Sequence, residues 1–125
     1  MKIQTIVQVE RNMYPSDFWM MQDCKSLHDI AEYCEVSVKN LTVLGSDTWY
    51  CLIGNHKDFI EIADLAGKDI NIFEIVRKVR SFKKKVIMDC RESTSLPIVL
   101  KLLERSRIQY SIETYGEMSH IEFKA

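Results

Sequence analysis

The run Phe59-Ile60-Glu61-Ile62-Ala63-Asp64-Leu65 leads through Ala66, Gly67, Lys68 and Asp69 into Ile70-Asn71-Ile72-Phe73-Glu74-Ile75-Val76-Arg77-Lys78-Val79, and its apolar period changes on the way. Phe59 to Leu65 follows the turn residues Gly54-Asn55-His56-Lys57-Asp58 and reads as a strand. From Ile70 onward Ile72, Ile75, Val76, Val79 and Phe82 recur at three- and four-residue spacing, with Arg77, Lys78 and Arg80 among the polar positions, which predicts an amphipathic helix. A strand that passes through a glycine into a helix divides the chain: runs of strands lie before it, alternating elements after it.

Working upstream, Leu41 to Leu44 and Thr48 to Ile53 flank Gly45-Ser46-Asp47, so three strand-like runs form an antiparallel meander. Ile3, Thr5, Val7 and Val9 alternate with Gln4, Ile6, Gln8 and Glu10, the period of a strand with one buried face. Pro15-Ser16-Asp17 offers a helix start, and Met20, Cys24, Leu27, Ala31 and Cys34 continue at helical spacing to Glu35, as one broken helix or two short ones. Downstream, Val86 to Cys90 reads as a short buried strand. Ser93-Thr94-Ser95 supplies cap candidates and Pro97 suits a first helical turn, in a helix running to about Ser106. Ile108, Tyr110 and Ile112, a turn at Gly116-Glu117 and Met118 to Phe123 close the chain with a hairpin. The expected order is β, α, β, β, β, α, β, α, β, β: a single α+β domain over residues 1–125 with a mixed, mainly antiparallel sheet.

Composition limits the function classes. The 125 residues are 46% hydrophobic and 28% charged with a net charge of -1, an ordinary globular balance rather than a disordered one. The run Thr48 to Lys57 is far shorter than the roughly 20 apolar residues of a membrane span, and the first residues lack a signal-peptide core, so a cytoplasmic protein is expected. Cys24, Cys34, Cys51 and Cys90 stand far apart without a C-x-x-C pair, which favours buried thiols over a redox motif or zinc knuckle. Charge is uneven: residues 1 to 62 carry 5 basic and 9 acidic groups, residues 63 to 125 carry 12 and 9.

Two stretches and the element order resemble the GNAT acetyltransferase superfamily. Ile60-Glu61-Ile62-Ala63 followed by Gly67-Lys68-Asp69-Ile70 is similar to the strand and glycine loop that open its acetyl-CoA site, and Leu102-Leu103-Glu104-Arg105-Ser106-Arg107-Ile108 to its late L-Y-E-K-x-G-F stretch. The resemblance implies a GNAT-like sheet, with Gly67, Lys68, Asp69 and Ile70 as the cofactor-binding residues if acetyl-CoA is bound. In the family the loop reads Q/R-x-x-G-x-G/A, because backbone N–H groups at a helix start close on a pyrophosphate. Here the frame is Asp64-x-x-Gly67-x-Asp69, which sets two carboxylates where an anion would lie. Leu103 stands at the family's acidic Tyr, and Arg107-Ile108 at its G-F. The resemblance therefore implies a diverged scaffold without a cofactor, with acetyl-CoA as the alternative and Tyr110 or a bound water as the substitute acid.

Several other residues carry chemistry. Arg77, Lys78, Arg80, Lys83, Lys84 and Lys85 place six cations in nine residues, suited to nucleic-acid phosphates or an acidic protein, although cations at a helix C-terminus also answer its dipole. Cys24 and His28, four apart, could face one metal, but no further ligands lie near in sequence. Asp89-Cys90-Arg91-Glu92-Ser93 joins a strand to a helix; alternation with Val86 and Met88 puts Cys90 in the core and Asp89 and Arg91 on the other face. His56 is expected in a turn and His120 inside the last strand. Tyr14, Phe18, Trp19, Trp49 and Tyr50 are core candidates, with a groove or dimer surface as the alternative, and Met13 to Met21 holds more large apolar groups than one helix face can bury, so residual exposure there would point to a protein partner. The leading expectation is a non-catalytic binding or regulatory module with a protein partner, as in small accessory proteins of phage or mobile elements, and a homodimer is among the possible assemblies. The alternatives are an acetyl-CoA-dependent N-acyltransferase and a nucleic-acid binder through residues 77–85. No metal and no membrane role is expected.

Overall fold

The computed structural model describes residues 3–13, 24–91 and 95–124. Two helices, α1 (Ile3–Met13) and α2 (Leu27–Tyr33), and a short 3-10 turn (Val38–Asn40) lead into β1 (Leu41–Gly45), β2 (Trp49–Asn55) and β3 (Phe59–Gly67). Helix α3 (Ile72–Phe82), β4 (Lys85–Arg91), α4 (Ser95–Arg105) and the hairpin β5 (Tyr110–Tyr115) and β6 (Met118–Lys124) follow. The six strands form one sheet in the order β1-β2-β3-β4-β6-β5, antiparallel except for the parallel contact of β3 with β4. The α+β class and the meander, helix, strand, helix, hairpin succession are as expected.

The first element is not. Ile3 to Met13 is helix α1, where alternation predicts a strand. Its apolar residues satisfy both periods: Ile3, Ile6, Val7 and Val9 share one side of the helix with the buried Glu10, and Gln4, Gln8, Arg11 and Asn12 lie on the opposite one. Burial selects the helix, because Ile6 and Val9 are enclosed with Tyr50, Leu52 and Ala66 of the sheet. Helix α2 starts at Leu27, capped by Ser26 accepting from the Asp29 N–H; the rest of the expected helix, from Pro15, falls outside the described residues apart from Cys24 to Ser26.

The sheet has two unequal faces. Helices α3 and α4 cover one with the larger core, in which Ile75, Val79, Val99, Leu102 and Leu103 meet Ile53, Ile60, Val86, Met88 and Ile121. On the other face α1 and α2 cover β2 and β3. A β-bulge interrupts β3: Leu52 faces Asp64 and Ile53 faces Ile62, leaving Ala63 without a partner across the pair. Asp64 is thereby turned to the α1 side, where its neighbour by simple alternation, Leu65, returns to the larger core. Gly67 has φ +117 and ends β3 so close to β2 that an added Cβ would lie 2.2 Å from the Thr48 carbonyl oxygen.

Candidate functional site

The parallel strands β3 and β4 pair over three positions, Phe59 with Lys85, Ile60 with Val86 and Glu61 with Ile87. Beyond that point β3 continues to Gly67 in register with β2 alone, and β4 continues to Arg91 in register with β6 alone. The sheet is forked there, and the backbone edges of Ile62 onward and Met88 onward face one another without a ladder. One side of the fork is apolar, with Ile62, Leu65, Met88 and Cys90 buried in the larger core. On the other face Glu61 stands at its root, and partial burial raises that carboxyl above the usual range.

The connection from β3 to α3 spans Lys68 to Asn71. Asp64, Leu65, Ala66 and Gly67 belong to β3 itself, so four of the six positions expected in a phosphate loop are strand. Asp64 does not face that loop either. It accepts the Tyr50 hydroxyl at 2.6 Å and the Leu65 N–H at 2.9 Å, while the Tyr50 oxygen lies 2.8 Å from Glu10 Oε2. One hydroxyl proton cannot serve two carboxylates, so the second short contact needs a proton on a carboxyl group. Burial raises the Asp64 carboxyl to about 6, so Asp64 takes up such a proton as pH falls through that value and is ionised above it.

At the start of α3 the N–H of Glu74 donates to the Asn71 side chain at 3.1 Å, and that of Ile75 to the Asn71 carbonyl at 3.3 Å. Asp69 takes a left-handed conformation, φ 56, at the position where the family pattern has its second small residue. Glu74 sits in the first turn and shares a groove with Gly45, Ser46 and Asp47 of the β1–β2 turn. Asp69 and Lys68 lie in the connection before this helix start, Glu74 in its first turn, and Asp47 across the groove from Glu74.

On the face opposite α3 and α4, strands β4, β6 and β5 carry a polar groove of about 430 Å3 lined by Asp89, Ser111, Glu113, Tyr115, His120 and Glu122. His120 Nδ1 lies 2.8 Å from Asp89, its Nε2 3.5 Å from Glu122, and Lys85 3.4 Å from the same Glu122 oxygen. Alternating charge runs across β4 and β6, and the hydrogen bond to Asp89 raises the imidazole pKa. Sequence reasoning placed His120 in its strand and Asp89 on the outer face but did not join them; their pairing comes from the register of β4 on β6.

The other expected residues are scattered. Tyr110 lies on β5, two strands from β4 and three from β3 in the sheet. The six cations do not make one patch. Lys84 Nζ donates to Asn55 Oδ1 and to the His56 carbonyl, both at 2.7 Å, Lys85 joins Glu122, Lys83 caps α3 in a left-handed conformation, and Lys78 lies over the Phe82 ring. Arg77 and Arg80 line a groove with Phe73, Val76 and Ser106. Cys34, Cys51 and Cys90 are buried free thiols, and burial pushes Cys90 up to about 12, which leaves it protonated rather than nucleophilic. His28 is exposed and Cys24 partly buried; among the described residues no three His, Cys, Asp or Glu side chains are grouped to hold a metal. No described helix is long and apolar enough to cross a membrane. Trp49 and Tyr50 are in the core, and Tyr14, Phe18 and Trp19 fall outside the described residues.

A forked sheet of this order, with α1 and α2 before the meander and α3 and α4 packed together on one face, is the scaffold of a GNAT-like protein. The crystal structure of PaiA N-acetyltransferase from Thermoplasma acidophilum in complex with coenzyme A superposes with a TM-score of 0.64, covering 98% of this chain and 92% of that one at 12% sequence identity. At that identity the likeness is one of fold. No protein-family model matches the sequence, and no curated protein matches it.

Proposed function

We propose that this GNAT-fold chain is a non-catalytic binding or regulatory domain, with the fork between β3 and β4 as its ligand slot and an extended segment of a protein partner as the ligand. The start of α3 carries the reading. A coenzyme A diphosphate needs free N–H groups and a neutral or positive surround at that helix start. Asn71 engages the Glu74 N–H there, Asp69 lies in the connection just before it, and Glu74 of the first turn shares a groove with Asp47, so the charge brought to this helix start is mainly negative. These residues do not fit the nucleotide end of the cofactor. The fork offers backbone N–H and C=O groups along two strand edges, which an extended peptide can satisfy in the manner of an added strand. Calorimetric titration with acetyl-CoA and with pantetheine tests this. The proposal expects acetyl-CoA to bind no more tightly than pantetheine; micromolar acetyl-CoA binding with pantetheine inert would overturn it.

A second reading, an N-acyltransferase using acetyl-CoA, is favoured by the fork and by the coenzyme A named for the structural neighbour. Glu61, at the root of the fork with a raised pKa, is the residue placed to hold a proton there. Transfer of labelled acetyl groups to a panel of primary amines, lost in Glu61→Gln, would establish it.

A further inference from the structure

The outer edge of the sheet at β5 is built to receive a strand. All six residues from Tyr110 to Tyr115 are exposed, with Tyr110 at 36%, Ile112 at 43% and Tyr115 at 63% of their surface open. Edge strands are usually protected by lysine, proline, a bulge or brevity, and Tyr-Ser-Ile-Glu-Thr-Tyr pairs with β6 at every position with none of these.

The hairpin fixes which backbone groups are free. Tyr115 and Met118 close a two-residue turn in which Gly116 takes φ 60, so they form a hydrogen-bonded pair, as do Glu113 with His120 and Ser111 with Glu122. Thr114 and Ser119, in the alternate position, approach by their hydroxyls at 3.3 Å, as residues of a non-hydrogen-bonded pair do. The N–H and C=O groups of Tyr110, Ile112 and Thr114 therefore point outward.

We propose that a second copy of this chain fills this edge, the two β5 strands pairing antiparallel about a two-fold axis at Ile112. Two-fold pairing requires facing residues to share a side of the sheet, so the axis lies at a residue, and the fullest overlap of Tyr110–Tyr115 with its copy leaves Ile112 or Glu113 at the centre. A centre at Glu113 sets two carboxylates opposite each other, which is unfavourable. A centre at Ile112 puts Ile112 against its own copy and Tyr110 against Thr114 of the second copy. All three then use their outward groups in six backbone hydrogen bonds. On one side of the sheet the exposed Ile112 meets its own copy and Tyr110 faces Thr114; on the other Ser111 faces Glu113, a hydroxyl against a carboxylate. The match of free groups, apolar side and polar side in one register argues for a second copy rather than an unrelated strand.

Sedimentation of the full chain over a range of micromolar concentrations tests the proposal, and twice the monomer mass is expected. Ile112→Lys places like charges at the axis and should return the monomer mass. Thr114→Pro removes an outward N–H, a change tolerated at an edge, and should do the same with an unchanged circular dichroism spectrum. Ile112→Cys brings two thiols onto Cα positions about 5.5 Å apart and should cross-link on mild oxidation. Tyr115→Cys, roughly 20 Å from its copy in this register, should not. A wild-type monomer throughout the range overturns the proposal, as does a dimer indifferent to both Ile112→Lys and Thr114→Pro, or one cross-linked equally well through position 115.

Discussion

Asp64→Asn should stabilise the protein at neutral pH, by an amount that follows from the proton count around Tyr50. In the native fold the Asp64 carboxyl is raised from 3.8 to about 6 by burial, so between those values the unfolded chain releases a proton that the folded chain keeps. The sign follows: ionised Asp64 costs nothing below pH 4, the cost grows as pH rises toward 6, and above that it is constant. The gap corresponds to about 3 kcal/mol at pH 7. Asparagine removes the cost and keeps the geometry. Its amide group can donate to the Tyr50 oxygen, its carbonyl can accept the Leu65 N–H, and the Tyr50 hydroxyl is left for Glu10. A gain of about 2 to 3 kcal/mol in a chain of this length raises the melting temperature by roughly 10 °C. Urea unfolding of wild type and variant at pH 4, 5, 6 and 7 measures it. A variant no more stable than wild type at pH 7, or one whose advantage is the same at pH 4, would refute the account of this triad.

Gly67→Ala should destabilise the fold by about 2 to 4 kcal/mol in denaturant titrations, since its Cβ would meet the Thr48 carbonyl in a left-handed conformation that L side chains resist. Within the basic run, Lys84→Ala should cost about 1 to 2 kcal/mol for its two buried-side hydrogen bonds, whereas Lys83→Gly should gain up to about 1 kcal/mol by relieving φ 55. His120 should titrate above 6.5 by NMR and fall back in Asp89→Asn. Its contribution to stability is complete below pH 6.5 and is lost as pH rises through the raised value.

Local pattern made most of the scaffold legible. Strands β1 to β3 are bounded by turn residues, and α3 carries a regular stripe that its Asn71 cap and Lys83 terminus confirm. Ile3 to Glu10 was ambiguous because alternate and helical positions are both apolar there. What decides it is Glu10 and Ile6 meeting Tyr50 and its neighbours, a contact spanning 40 positions. Asp64, three residues before Gly67, fits the loop frame by sequence, and only the bulge at Ala63 turns it to Tyr50. The fork has no local signature at all: it arises from how far β3 and β4 stay in register after a helix has intervened. The basic run was a true feature of composition, yet partners on β2 and β6 divide it into structural and exposed charges.

The central claim is that the start of α3 does not hold a coenzyme diphosphate. Amide chemical shifts of 15N-labelled protein titrated with acetyl-CoA test it most directly, because they report on the N–H groups of Lys68 to Phe73 one by one. The account predicts that these amides stay in place while any shifts from the pantetheine portion fall along β3 and β4 beyond Glu61 and Ile87. Saturable downfield movement of the Ile72 and Phe73 amides with acetyl-CoA, absent with pantetheine, would contradict it.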